Sequence, residues 1–158
     1  MQDLTISSPA FNNGDYIPAK YTSDGENISP PLDFGGIGEE AKSIVMIMDD
    51  PDAATDPDGR GKTFDHWILF NISPSTTSIA ENSLPEGAIQ GKNSLGQSSY
   101  IGPAPPNGTH KYYFRLFELS DNLELDEGAT KEQVLKAIEN CTLRQTKLIG
   151  KYQAKPNQ

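Results

Sequence analysis

His66 and His110 are the only two histidines in the chain, and each lies in a cluster of groups able to hold or move protons. His66 sits in Phe64-Asp65-His66-Trp67. His110 closes the run Gly102-Pro103-Ala104-Pro105-Pro106-Asn107-Gly108-Thr109-His110 and is followed by Lys111-Tyr112. A third cluster, Asp49-Asp50-Pro51-Asp52, precedes the first histidine. Two imidazoles, a carboxylate and a Gly/Pro-rich loop suit two chemistries. Imidazoles titrate close to neutrality and can donate N–H bonds to a small anion. Two histidines and one carboxylate, here His66, His110 and Asp50, can also ligate a metal and support hydrolysis or oxygen chemistry.

Sharper motifs are absent. Gly61-Lys62-Thr63 resembles the end of a phosphate-binding P-loop, but the position of its first glycine holds Asp56. Calcium loops starting at Asp50 or Asp56 fail, because Ala54 and Thr55, or Arg60, fall where the loop needs oxygen ligands and glycine. There is no Gly-x-Ser-x-Gly elbow and no His-Glu-x-x-His pattern. The single cysteine, Cys141, can form neither an intramolecular disulfide nor a paired zinc knuckle. The absence of a marked nucleophile argues for a binding protein rather than an enzyme, and no cofactor is expected.

These groups need elements to position them. Fourteen glycines and 12 prolines punctuate the chain too often for a helical bundle. The runs between them read as strands. Residues 43–48 are continuously apolar after Ser43, as in a strand buried on both faces. Residues 64–72 and the aromatic-rich 111–119 are two more, with weaker candidates at 4–7, 28–34 and 143–152. Side chains alternate along a strand, so Met46, Met48 and Asp50 share a side. His66 is expected beside Phe64 and Ile68, and His110 beside Tyr112. One helix is predicted, opened by the capping box Thr130-x-x-Gln133 and carrying an apolar stripe of Val134, Leu135, Ile138 and Cys141. Residues 50–63 read as a polar loop, and 73–99 as a long irregular segment of the kind that carries function.

At 158 residues the chain has the size of one domain, spanning 1–158, able to bury a core without staples. Thirteen basic against 22 acidic residues give a net charge of −9. That argues against nucleic acid and against anionic membranes, although a local positive pocket can still hold a small anion. Residues 1–5 lack the basic and apolar regions of a secretion signal, and no apolar run approaches the ~20 residues of a membrane span. The expected location is cytoplasmic. The four Asn-x-Ser/Thr tripeptides, at Asn27, Asn71, Asn107 and Asn140, are then chance matches. Cys141 reads as a small buried hydrophobe.

Taken in order, Asp50-Pro51-Asp52-Ala53, Phe64-Asp65-His66-Trp67 and Gly102-Pro103-Ala104-Pro105-Pro106-x-Gly-x-His110-x-Tyr112 resemble the signature of the phosphatidylethanolamine-binding protein family, also called Raf kinase inhibitor-like. The short length and the ending Leu148-Ile149-Gly150-Lys151-Tyr152 resemble its bacterial and archaeal YbhB/YbcL-type branch. The resemblance implies a mainly β fold, with a central antiparallel sheet, a second smaller sheet and one or two short helices. It implies a pocket for phosphate, phosphorylated head groups or similar anions, formed by Asp50, Ala53, His66, Gly102, Ala104, Pro105, His110 and Tyr112. It also suggests a kinase or protease as protein partner and a homodimer. Two departures stand out. Ala104 replaces a glycine found in eukaryotic relatives, and the chain stops soon after Tyr152, where those relatives carry a helix flanking the pocket. A more open pocket is expected.

The physical expectation is that His66 and His110 donate to the anion, with help from backbone N–H groups of residues 102–108 and the Tyr112 hydroxyl, while Asp50 orients a histidine. Anion affinity should then rise as pH falls from about 8 to about 6, because imidazole titrates near ~6.5. Metal affinity should fall over the same range.

Overall fold

The structure is a computed structural model and describes residues 2–57 and 61–154. Eight strands occur in the order β1 (Thr5–Ser7), β2 (Leu32–Gly35), β3 (Ser43–Asp50), β4 (Phe64–Ile72), β5 (Ser78–Ile79), β6 (Ile89–Gln90), β7 (Thr109–Leu119) and β8 (Thr142–Gln153). One α-helix, α1 (Lys131–Ile138), lies between β7 and β8. Five strands form the main sheet, in the order β6-β4-β3-β7-β8, and three form a smaller sheet, β1-β2-β5. Every strand pairing within the two sheets is antiparallel. The mainly β architecture implied by the sequence is therefore present.

The sheet order follows from burial. All eight residues of β3 are buried, as the central strand of a sheet covered on both faces requires. Ile44, Met46 and Met48 enter a core with Ile6 and Phe34 of the smaller sheet and with Leu4, which precedes β1. Val45 and Ile47 enter a second core, closed by Leu123, Ala129, Val134 and Ile138 around α1. Strand β7 sends His110, Tyr112, Phe114 and Leu116 to the first of these faces, all buried. It starts at Thr109, two residues before the aromatic run, so His110 is already in the ladder, opposite Tyr152.

The helix opens as its capping box predicts. Thr130 accepts from the Gln133 N–H at 3.2 Å, and the Gln133 side chain accepts from the Thr130 N–H at 2.9 Å. Its apolar stripe is shorter than expected. Val134 and Ile138 are buried, Leu135 is exposed, and the helix ends before Cys141, which is only partly buried. Residues 73–99, predicted as irregular, contain the two-residue strands β5 and β6. The candidate strand at 28–34 contracts to β2.

One irregularity bears directly on function. Along β3 and β4, Met48 pairs with Trp67, but Asp49 pairs with Asp65 and Asp50 with Phe64. His66 is the extra residue of a β-bulge, which re-aims side chains around it. Simple alternation would place His66 with Ile68. Ile68 instead lies in the helix-side core, while the His66 ring packs against Phe64 (centroids 4.8 Å apart) and edge-on to Tyr112 (5.2 Å). The expected grouping with Phe64 holds and that with Ile68 does not, because the bulge reverses the parity between them.

Candidate functional site

Three segments meet at one end of the main sheet: the β3 terminus, the β4 bulge and the start of β7. Asp50 is the pivot. It ends β3 and caps the short 3₁₀ turn Pro51–Ala54, its Oδ1 accepting the Ala53 N–H at 3.3 Å. Pro51 suits the first position of such a turn, where no N–H is needed. Asp52 then accepts the Lys111 N–H at 2.7 Å and ties the turn to β7. That contact brings Asp50 onto His110.

His110 is held between two carboxylates. Its Nδ1 donates to Asp50 Oδ2 and its Nε2 to Asp56 Oδ2, each at 2.6 Å, and all three side chains are almost fully buried. Burial alone would lower the imidazole pKa. The hydrogen bonds and negative charges of Asp50 and Asp56 outweigh it, so the pKa is raised. Burial pushes the Asp50 carboxyl up, against the pull of His110. The arrangement is an imidazolium bridging two aspartates. Asp56 also accepts from the Asn107 side chain at 3.0 Å, which links the 51–57 segment to the proline-rich loop.

His66 differs in every respect. Its Nδ1 lies 2.7 Å from the Ile101 carbonyl oxygen, and the Ile101 N–H donates back to the His66 carbonyl at 3.1 Å. A carbonyl only accepts, so Nδ1 carries the proton. Burial lowers the pKa to about 4. The ring is therefore neutral near pH 7, and Nε2 bears a lone pair. It accepts hydrogen bonds and does not donate them. The expectation that both histidines donate to an anion is corrected on both counts: His66 presents an acceptor, and both donors of His110 are engaged by aspartates.

Tyr112 supplies a donor instead. Its side chain is fully buried and its hydroxyl has no hydrogen-bond partner among the described residues. Burial raises its pKa and the nearby Asp50 charge raises it further, while the Ala104 backbone pulls weakly the other way. The hydroxyl keeps its proton. In the loop, prolines at 103, 105 and 106 leave Ala104 with the one backbone N–H between residues 103 and 106. The Gly102 N–H, expected to face an anion, is instead bonded to Asn27 Oδ1 at 2.8 Å. A Cβ at Gly102 would collide with that oxygen and with the Tyr21 carbonyl, so glycine is needed there for close backbone approach.

These groups enclose a cavity of about 270 Å³ lined by Asp50, Ala53, His66, Gly102, Ala104, His110 and Tyr112, together with Lys62, Phe64, Leu95, Ile101 and Pro106. Seven of the eight residues proposed from the sequence thus line one cavity. Pro105 does not; it is buried behind the wall, and Pro106 takes its place. Sequence reasoning passed over Asp56 and Lys62. Both stood in view, Lys62 in Gly61-Lys62-Thr63 and Asp56 in a second Asp-Pro step, but neither motif matched a known pattern. The charges nearly balance: Asp50 and Asp56 against His110 and Lys62. Among the described residues, no group of three or more His, Cys, Asp or Glu could hold a metal ion. With His110 bound on both nitrogens and His66 Nδ1 on a carbonyl, the alternative of a metal-dependent enzyme finds no support.

No helix among the described residues is long and apolar enough to cross a membrane. The model of the phosphatidylethanolamine-binding protein family matches residues 7–153. A UPF0098 protein of Methanothermobacter thermautotrophicus is 47% identical over 154 residues, covering 94% of this chain and 98% of its own length. The crystal structure of a putative phosphatidylethanolamine-binding protein homolog from Chlamydia trachomatis superposes with a TM-score of 0.88 at 39% identity, covering 96% of this chain and 98% of that one. Escherichia coli YbcL, described as a member of the mammalian PEBP family, shares the fold with a TM-score of 0.87 at 24% identity, covering 98% of this chain and all of its own. On the family match and the extent of these likenesses, the chain belongs to the phosphatidylethanolamine-binding protein family.

Proposed function

We propose that the cavity binds a small phosphate-bearing ligand in its singly protonated, monoanionic form, without turning it over. The observation that carries this reading is the pairing of a buried donor with a buried acceptor. The Tyr112 hydroxyl has no protein partner, and the neutral His66 ring turns a lone pair away from Ile101. A buried hydroxyl without a partner costs free energy, so a ligand that satisfies Tyr112 gains it back, and the His66 lone pair adds a second contact. A phosphomonoester monoanion offers both: anionic oxygens accept from Tyr112 and from the Ala104 N–H, and the P–OH proton reaches His66 Nε2. Lys62 adds a positive charge at the wall. The dianion would present a bare oxygen to the His66 lone pair and to the aspartates, and would be repelled.

The His110 imidazolium acts as a fixed positive charge within the wall, screened by Asp50 and Asp56. The test is calorimetry with methyl phosphate on the wild type and on Tyr112→Phe. Loss of one hydrogen bond to a charged ligand costs about 1.5–3 kcal/mol, so affinity should fall by about tenfold or more. Unchanged affinity would remove Tyr112 from the site and the reading with it. A second reading uses the rim of the same cavity, where Leu95 is 46% exposed, to hold a kinase or protease partner. Pull-down with and without methyl phosphate separates the two, since rim binding that competes with the ligand would be relieved by it.

A further inference from the structure

A second cleft adjoins the cavity. Lys62 and Phe64 line both, so the two share a wall. The cleft is larger, about 930 Å³, and runs past Lys92, Ser94 and Gly96 to the first turn of α1. Its ionisable lining residues are Lys62, Lys92 and Lys131 against Asp65 and Glu132.

The three lysines are not equivalent. Lys131 is consumed: its Nζ lies 3.1 Å from Asp49 and 3.1 Å from Asp65, and Asp49 is also paired with Arg115. Two cations and two carboxylates in that cluster cancel. Lys62 and Lys92 are exposed and have no ion-pair partner among the described residues. With Glu132 the one remaining carboxylate, the cleft keeps a net positive charge in a chain whose total is −9.

The loop that carries Lys92 is also built rather than loose. Asn93 is buried, its Nδ2 donates to the Ser99 carbonyl, and its Oδ1 accepts from the Leu95 and Gln97 N–H groups. Ser94 Oγ accepts the Asp65 N–H at 2.7 Å, pinning the loop to β4. The Lys92 N–H is bonded to the Ala129 carbonyl at 2.8 Å. The loop therefore presents Leu95 to the first cavity and Lys92 to the cleft from a fixed backbone, so that little order has to be imposed on binding.

We propose that this cleft is a second anion subsite, and that the ligand of the protein is a small molecule with two anionic groups, one seated against Tyr112 and His66 and the other on Lys92, with Lys62 between them. The inference rests on the first cavity binding a phosphate, and it adds what lies at the other end of that ligand. A phosphate tethered to a second phosphate or to a carboxylate has the required chemistry. The gain comes from tethering, which turns the second contact into an intramolecular one.

The test is calorimetry with methyl phosphate, with diol bisphosphates whose linkers run from about two to about five carbons, and with the matching phosphate-carboxylates. At one linker length the bisphosphate should bind about tenfold or more tighter than methyl phosphate. Lys92→Gln should erase that advantage and leave methyl phosphate unaffected. Lys42→Gln removes the same charge just before β3, at the end away from Asp50, and should change neither. A phosphate-carboxylate that matches the bisphosphate assigns the second group as any anion; one that fails narrows the class to bisphosphates. An advantage of no more than about twofold, as two equivalent ends give statistically, overturns the subsite, as does an advantage that survives Lys92→Gln. Should methyl phosphate not bind at all, the reading of the first cavity fails. A bisphosphate that still bound through Lys92 would then support the cleft alone, and one that did not would overturn both.

Discussion

At the scale of the residue, the two histidines take opposite protonation states because of what their nitrogens touch, and this gives opposite signs to their pH effects. The folded-state pKa of His66 lies near 4, below the ~6.5 of an unfolded histidine. The folded state then binds fewer protons, and stability contributed by His66 is present above pH ~6.5 and lost as pH falls towards 4. The shift amounts to about 3 kcal/mol. Denaturant unfolding between about pH 7 and 4 should show the wild type losing stability faster than His66→Phe over that window. A parallel decline would mean the ring is not held neutral. His110 runs the other way. Its raised pKa gives stability that is full below ~6.5 and lost as pH rises through the folded value. Asp56→Asn removes one of the two carboxylates responsible. The His110 ring, followed by NMR titration, should lose its proton at lower pH in that variant. Tyr112→Phe tests a third residue. It deletes a buried, unpaired hydroxyl, so the unliganded protein should be more stable, by about 1–3 kcal/mol, while ligand affinity drops. A site kept at the expense of stability has that double signature, and a simple core tyrosine does not.

At the scale of the element, strand parity was legible in the sequence where the strands are regular. Met46, Met48 and Asp50 on β3, and His110 with Tyr112 on β7, lie on the faces alternation assigns. The capping box fixed the start of α1, because its two reciprocal hydrogen bonds depend on local sequence only. The helix end had no such signal. Cys141 continues the 3.6-residue period, but the chain leaves the helix after Ile138 and enters β8. The bulge at His66 could not be read either, since it is a property of the pairing between β3 and β4 and not of β4 alone. The same holds for Asp56, whose role depends on how a polar loop folds back over β7. Thr130→Ala should destabilise the protein by about 1 kcal/mol, measured by urea unfolding, with no effect on methyl phosphate affinity. Cys141 keeps the expectation of slow labelling on a different ground. It is only partly buried, but burial raises its thiol pKa, and its Sγ–H is bonded to the Ala137 carbonyl at 3.6 Å. Reaction with a thiol reagent should accelerate on unfolding; equally fast native labelling would contradict this.

At the scale of the whole molecule, an acidic chain gathers a small, nearly neutral cavity at one end of a sheet and encloses it in apolar walls. Phe64, Leu95, Ile101 and Pro106 give the few polar groups inside apolar neighbours, beside which a hydrogen bond counts for more than in bulk solvent. On the proposed function, selectivity rests on whether a ligand brings one proton to the site. The most direct test compares methyl phosphate with methyl sulfate. At about pH 6 a large share of methyl phosphate is a monoanion, its second pKa being about 6. Methyl sulfate has the same shape and charge but no proton for His66. Any titration of His110 acts on both ligands alike. Calorimetry across pH 6 to 8 should show methyl phosphate binding more tightly than methyl sulfate at about pH 6, by about tenfold, with the advantage shrinking towards pH 8. Equal or tighter binding of methyl sulfate at pH 6, or methyl phosphate tightening as pH rises, would contradict a site built around a buried donor and a buried acceptor.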